Sequence, residues 1–142
     1  MYQKVLVPLD GSKTAEAVLD HVKKLSKERL VGEVILAKVV GRQSMVTDGG
    51  IMSVMVADAA KSQKYLETIE SELRATGCKV SSKILEGDAA EAIVDFARDQ
   101  AVDLIVITTY GDSGLKRALF GSVAFKVLHD HHVKAPILLI RP

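Results

Sequence analysis

The sequence contains a single cysteine, Cys78, and no tryptophan, and aromatic residues make up only 4% of it. One cysteine closes no internal disulfide and forms no Cys-x-x-Cys pair, which points to a reducing, cytoplasmic setting. So few aromatics leave little material for the base-stacking platforms of single-strand nucleic-acid binders. Charge of either sign is not in excess: 19 basic residues stand against 18 acidic ones, and they are interspersed. Nucleic-acid binders carry a basic face that releases counterions, and no such block occurs here. No apolar run approaches the ~20 residues that span a bilayer. The opening MYQKVLVPLD has only a short apolar stretch, interrupted by Pro8 and Asp10, so it reads as a strand and not as a leader. Membrane and nucleic-acid partners are therefore not expected.

The chain has 142 residues, of which 48% are hydrophobic and 26% charged, the composition of one packed domain over residues 1–142. Apolar, β-branched runs alternate with helical patterns along it. Lys4–Leu9 is almost continuously apolar, as a strand covered on both faces should be. Ala15, Val18, Leu19, Val22 and Leu25 recur at helical spacing, with Ser12 placed to cap that helix. Glu33–Val40 is a second buried strand. Residues 41–56 show no period, so a loop is expected there, passing into a helix near Ala57. Leu66, Ile69 and Leu73 mark that helix, and Gly77 ends it. Lys79–Leu85 reads as a strand near the sheet edge. Asp88 and Glu91 open the next helix, whose core face is Ile93, Phe96 and Ala97. Asp103–Thr109 is the strongest strand signal. Val123, Ala124, Val127 and Leu128 mark a last helix, and Pro136–Ile140 a last strand.

This alternation predicts a parallel sheet with helices on both faces. Ligands of such sheets bind beyond the carboxyl ends of the strands, where the strand order reverses. The loop from Tyr110 to Phe120 leaves one of those ends, holds Gly111 and Gly114, and leads to Gly121-Ser122 at the start of a helix. Glycine removes the Cβ between backbone N–H groups and an anion, and a helix start adds unpaired donors. The same glycines also serve as ordinary turn devices. Neither the Gly-x4-Gly-Lys-Ser/Thr phosphate loop nor GxGxxG is present.

Over nearly its whole length the chain resembles the universal stress protein family. The likeness is carried by KVLVPLDGS, the strand ending in Val39-Val40, VDLIVITTYG, SGLKRALFGSVAFKVL and APILLIRP. Nucleotide-binding members share a pattern of Gly, two residues, Gly, nine residues, then Gly and Ser or Thr. Gly111, Gly121 and Ser122 match it at the right spacing, while Thr108 replaces the first glycine and Tyr110 stands where the family often has histidine. The Thr108 Cβ would crowd a ligand at that point.

The resemblance implies a Rossmann-like five-stranded sheet of order 3-2-1-4-5, with the last strand pairing across a homodimer. It also implies an ATP site, with Mg²⁺ carried on the phosphates, that acts by changing conformation or partner binding. In that site Asp10 lies near ribose and adenine, Val39 lines the adenine slot and the Ile107 backbone borders the base. Gly111, Gly121, Ser122 and Val123 offer N–H groups to phosphate, and Pro8 and Leu9 form the floor. Read locally, Asp10 is equally a turn aspartate, and Val39 a core valine. Lys116 and Arg117 read as solvated loop cations.

A dimeric adaptor without nucleotide is the competing function. Slow ATP hydrolysis ranks last, because Asp10 and Asp112 are the only nearby carboxylates and the sequence assigns neither a catalytic role. No catalytic triad is assignable. His129, Asp130, His131 and His132 follow the last helix, where the helix dipole already accounts for cationic residues, so no metal site is expected. His21 reads as a surface histidine and Cys78 as a core thiol. Met45, Met52 and Met55 are equally a contact surface and gap-fillers.

Overall fold

The computed structural model describes residues 1–41, 50–110 and 121–142, and for residues 50–58 the backbone alone. Its five strands form one parallel sheet in the order β3-β2-β1-β4-β5. They are β1 (Tyr2–Pro8), β2 (Val31–Val40), β3 (Lys79–Glu86), β4 (Leu104–Thr108) and β5 (Ile137–Ile140). Helices α1 (Val18–Lys27), α2 (Gly50–Arg74), α3 (Ala89–Asp99) and α4 (Ser122–His129) connect them. The expected order and the edge position of β3 are both found.

Near-continuous apolar strands demand cover on both faces, and they receive it. Val5, Val7, Val34 and Leu36 pack on one side with Val18 and Val22 of α1 and Leu66, Ile69 and Leu73 of α2. Leu6, Ile35, Ile105 and Ile107 pack on the other with Ile93 and Val94 of α3 and Val127 of α4. Each fully buried aliphatic side chain contributes about 1.5–3 kcal/mol on these faces.

Two helix starts differ from expectation. The Ser12 hydroxyl accepts the Ala15 N–H at 3.1 Å, but it caps a short 3₁₀ turn at Ala15–Ala17, and α1 begins only at Val18. Helix α2 begins at Gly50, not near Ala57. The absence of an apolar period there misled the sequence argument, because a helix need not be amphipathic in its opening turns. Asp88 behaves as expected: its carboxylate accepts the Glu91 N–H at 3.0 Å and caps α3. Gly77, at φ 86°, ends α2 in the left-handed conformation that glycine supplies.

The seam between β1 and β4 decides where a ligand can enter. Its register pairs are Val5 with Leu104 and Leu6 with Ile105. The Lys4 carbonyl accepts the Asp103 N–H at 3.0 Å, and the Leu9 N–H donates across the other edge of β1 to Ala37. Alternation along β1 therefore turns the Pro8 nitrogen toward β4. Proline has no N–H to offer there, and the residue falls beyond the last β1–β4 pair. At the opposite end of the seam the Asp103 carboxylate accepts two successive N–H groups of β1, Gln3 at 2.7 Å and Lys4 at 2.9 Å. The seam is clasped at its amino end and free to part at its carboxyl end.

Hydrogen bonds to a charged acceptor contribute about 1.5–3 kcal/mol. Asp103→Ala is therefore expected to lower unfolding stability by about 2 kcal/mol in urea titrations, with the circular dichroism of the folded state unchanged. A loss below about 0.5 kcal/mol would show that the clasp contributes little.

Candidate functional site

Beyond the end of the seam lies a cleft of about 640 Å³, measured out to its open mouth. The end of β1 supplies Pro8, Leu9 and Asp10, and β2 supplies Ala37 and Val39. Ile107, Thr108 and Tyr110 come from β4 and its exit. Gly121, Ser122, Val123 and Ala124 come from the start of α4, Ala89 and Ile93 from α3, and Ala15 from the 3₁₀ turn. Every residue singled out from the sequence for this site lines the one cleft except Gly111, which lies outside the described residues, as do Asp112, Gly114, Lys116, Arg117 and Met45. The side chains of Met52 and Met55 lie outside them as well.

Strand alternation explains the apolar wall. Ala37, Val39 and Ile107 sit on the sheet face that α3 and α4 cover, and Ile93 meets them from α3. Three alanines, Ala37, Ala89 and Ala124, keep this part of the cleft open where larger side chains would fill it. The same alternation places Thr108 with Leu104 and Val106, on the face that α1 covers, and it is only 4% exposed. Leu9 and Ala15 of that face line the cleft as well, so the crowding expected of the Thr108 Cβ falls on the α1 side of the cleft, away from the apolar wall.

The start of α4 forms the polar side. Its N-cap is Gly121, which contributes no side-chain cap, whereas the start of α3 is capped by Asp88. The first intrahelical bond runs from the Phe125 N–H to the Gly121 carbonyl, 3.0 Å. The N–H groups of Ser122, Val123 and Ala124 precede that ladder and point out of the helix start, where the partial positive charge concentrates. The Gly121 N–H itself is committed to the Thr109 carbonyl at 2.5 Å. That differs from the donor role the resemblance implied for it. Gly121 has φ −71° and ψ 164°, which any residue adopts. Its backbone does not require glycine; an approaching group would.

Asp10 stands at the rim. Its Oδ1 accepts the Ser12 N–H at 2.9 Å and the Ser12 hydroxyl at 2.5 Å, so the local turn reading is realised inside the cleft. Gly11 makes this turn possible at φ 90°. A Cβ there would also sit 3.5 Å from Cε of Lys38, whose ammonium donates to Ser62 on α2 at 2.8 Å. Tyr65 of α2 supports the turn from below. Burial first, then the charge of Glu16 and a hydrogen bond toward it, and last the charge of Asp10, push its phenol above the ordinary value, so it stays neutral. Among the described residues its buried hydroxyl has no hydrogen bond of ordinary geometry.

Sequence reasoning passed over Ala15, Ala37, Ala89, Ile93 and Ala124, which pattern alone assigns to the core. The available signal was positional. A helix that follows a strand in a doubly wound sheet starts above the carboxyl edge, so the residues after Asp88 were candidates.

The molecule is thus a doubly wound α/β protein with a cleft at its switch point. The chain belongs to the universal stress protein family, whose model matches residues 1–141. It is 31% identical over 159 residues to the universal stress protein MJ0577 of Methanocaldococcus jannaschii, covering 99% of this chain and 96% of that one. The solved structure of MJ0577 superimposes with a TM-score of 0.89 at 33% identity, covering 100% and 97% of the two chains. The same fold is seen in an Arabidopsis thaliana family protein with AMP bound, at TM-score 0.69 and 19% identity over 98% of this chain and 91% of that one. It recurs in a universal stress protein in complex with cAMP, at TM-score 0.71 and 21% identity over 99% and 97%.

Because the Tyr65 hydroxyl is buried with only a hydrogen bond of poor geometry toward Glu16, Tyr65→Phe is expected to change thermal stability by less than about 1 kcal/mol. A loss above about 1 kcal/mol would reveal a hydrogen bond made by the phenol.

Proposed function

We propose that the cleft binds an adenine nucleotide, ATP with Mg²⁺ carried on its phosphates, and that occupancy regulates conformation or partner binding. One juxtaposition carries this reading: an apolar slot of Ala37, Val39, Ile93 and Ile107 opens beside a helix start that has no side-chain cap. A flat heteroaromatic base suits the slot, and a phosphate suits the N–H groups of Ser122 and Val123. AMP and cAMP are bound by the two fold relatives just described, which supports an adenylate as the ligand class.

Asp10 is the only carboxylate among the described residues lining the cleft. Phosphoryl transfer needs a positioned base or water-orienting group together with metal ligands, so binding is favoured over turnover. The edge strand β5 supports homodimer formation: Leu138 is 37% exposed there, and an unpaired strand edge invites a second copy.

Calorimetric titration with ATP and Mg²⁺ tests the site. The native chain is expected to bind, and Gly121→Val to weaken binding at least about tenfold by placing bulk at the helix start without a change of backbone. Thr108→Gly should alter affinity by less than about threefold, because its side chain, although it lines the cleft, is 4% exposed and points away from the apolar wall. No binding at millimolar ATP would overturn the proposal and favour the dimeric adaptor without nucleotide.

A further inference from the structure

A second polar constellation lies outside the cleft, where the chain turns after α4. Asp130, His131 and His132 each offer one ligand atom, and these atoms all lie within 4.8 Å of one another. Asp130 Oδ1 accepts the His132 backbone N–H at 2.9 Å and lies 2.9 Å from Nδ1 of the same residue. The rings of His131 and His132 approach to 3.9 Å between centroids at 37°. His129 is turned elsewhere: its Nδ1 faces the Phe125 carbonyl at 2.9 Å, and its ring stacks on Phe125 at 4.2 Å.

We infer that Asp130, His131 and His132 form a surface site for a divalent transition cation of the zinc class. The donor set selects that class. Two imidazoles and one carboxylate suit zinc, nickel or copper, whereas calcium and magnesium need shells made of oxygen. Three protein ligands leave an open position for water or a further donor.

The surroundings favour a cation independently of the three ligands. A groove between α3 and the end of α4 is lined by Asp88, Glu91 and Asp95 as well as by the cluster itself. Of the cations in that groove, Arg98 is already paired with Asp95 at 3.3 Å and with Asp99 at 3.1 Å. Lys126 also lines the groove, where acidic residues outnumber the two long cations. The dipole argument made from the sequence explains why cationic residues suit this helix end. It does not explain two imidazoles converging on one carboxylate. Nucleotide binding at the cleft is not required for this site, so either proposal can fail alone.

The test is calorimetry of the untagged full chain with zinc chloride, with cobalt absorption spectra as a second readout. One cation per chain is expected, with a dissociation constant on the order of 10 μM or tighter. His131→Ala and His132→Ala should each weaken it at least about tenfold and remove the imidazole–carboxylate cobalt bands. His21→Ala, a surface histidine of α1, should change nothing, and magnesium should give no heat. No zinc binding by the native chain at millimolar metal would overturn the inference. Binding that survives the His131→Ala, His132→Ala double change would overturn it equally, by placing the metal elsewhere.

Discussion

β1 and β4 pair through Val5–Leu104 and Leu6–Ile105 and then part, and the rest of the molecule is arranged around that parting. From β1 the chain crosses to β2 on one side, and from β4 to β5 on the other. The connections leave in opposite directions, so among the described residues the space above the seam stays open. Pro8 ends the ladder without leaving a donor unpaired, because its nitrogen faces the side where pairing has ceased. Asp103 ties the other end by accepting two N–H groups of β1. A seam closed at one end and open at the other holds its mouth at a fixed width.

The chemistry of the cleft follows from what reaches that mouth. The parallel sheet requires apolar side chains on both faces, so the wall facing α3 and α4 is apolar by necessity. Helix α4 starts over the mouth, and its first N–H groups have no partners within the helix. One apolar wall and one donor-rich helix start thus face the same space without any residue departing from its structural role. Asp10 adds a carboxylate at the rim, held by Ser12 and by the turn that Gly11 permits. A ligand that is apolar and flat at one end and anionic at the other matches that division.

Much of this was legible before any coordinates. β1, β2 and β4 announced themselves as near-continuous apolar runs, because burial on both faces leaves no alternation to confuse with a helix, whereas β3 alternates as a partly exposed edge strand does. The start of α2 was misplaced, since residues 41–56 have no period and Gly49-Gly50 looks like a break, whereas Gly50 is the first residue of the helix. Pro8, Leu9, Asp10, Val39, Ile107 and Val123 were found through resemblance, and local pattern alone made them turn or core residues. Ala37, Ala89 and Ile93 were missed for the same reason: a residue serving both core and cleft carries only the core signature. Whether Thr108 obstructs a ligand could not be read either, because that depends on which sheet face its side chain joins. Asp130, His131 and His132 are neighbours in sequence, but only the turn after α4 shows that their ligand atoms converge.

If the open end of the β1–β4 seam holds a nucleotide, a backbone amide NMR titration with ATP and Mg²⁺ will reveal it residue by residue. Saturable shifts are predicted at Leu9, Val39, Ile107, Ser122 and Val123, with Lys4 and Asp103 at the clasped end unmoved. Shifts confined to the β5 edge or the α3–α4 groove, or none at millimolar nucleotide, would contradict it.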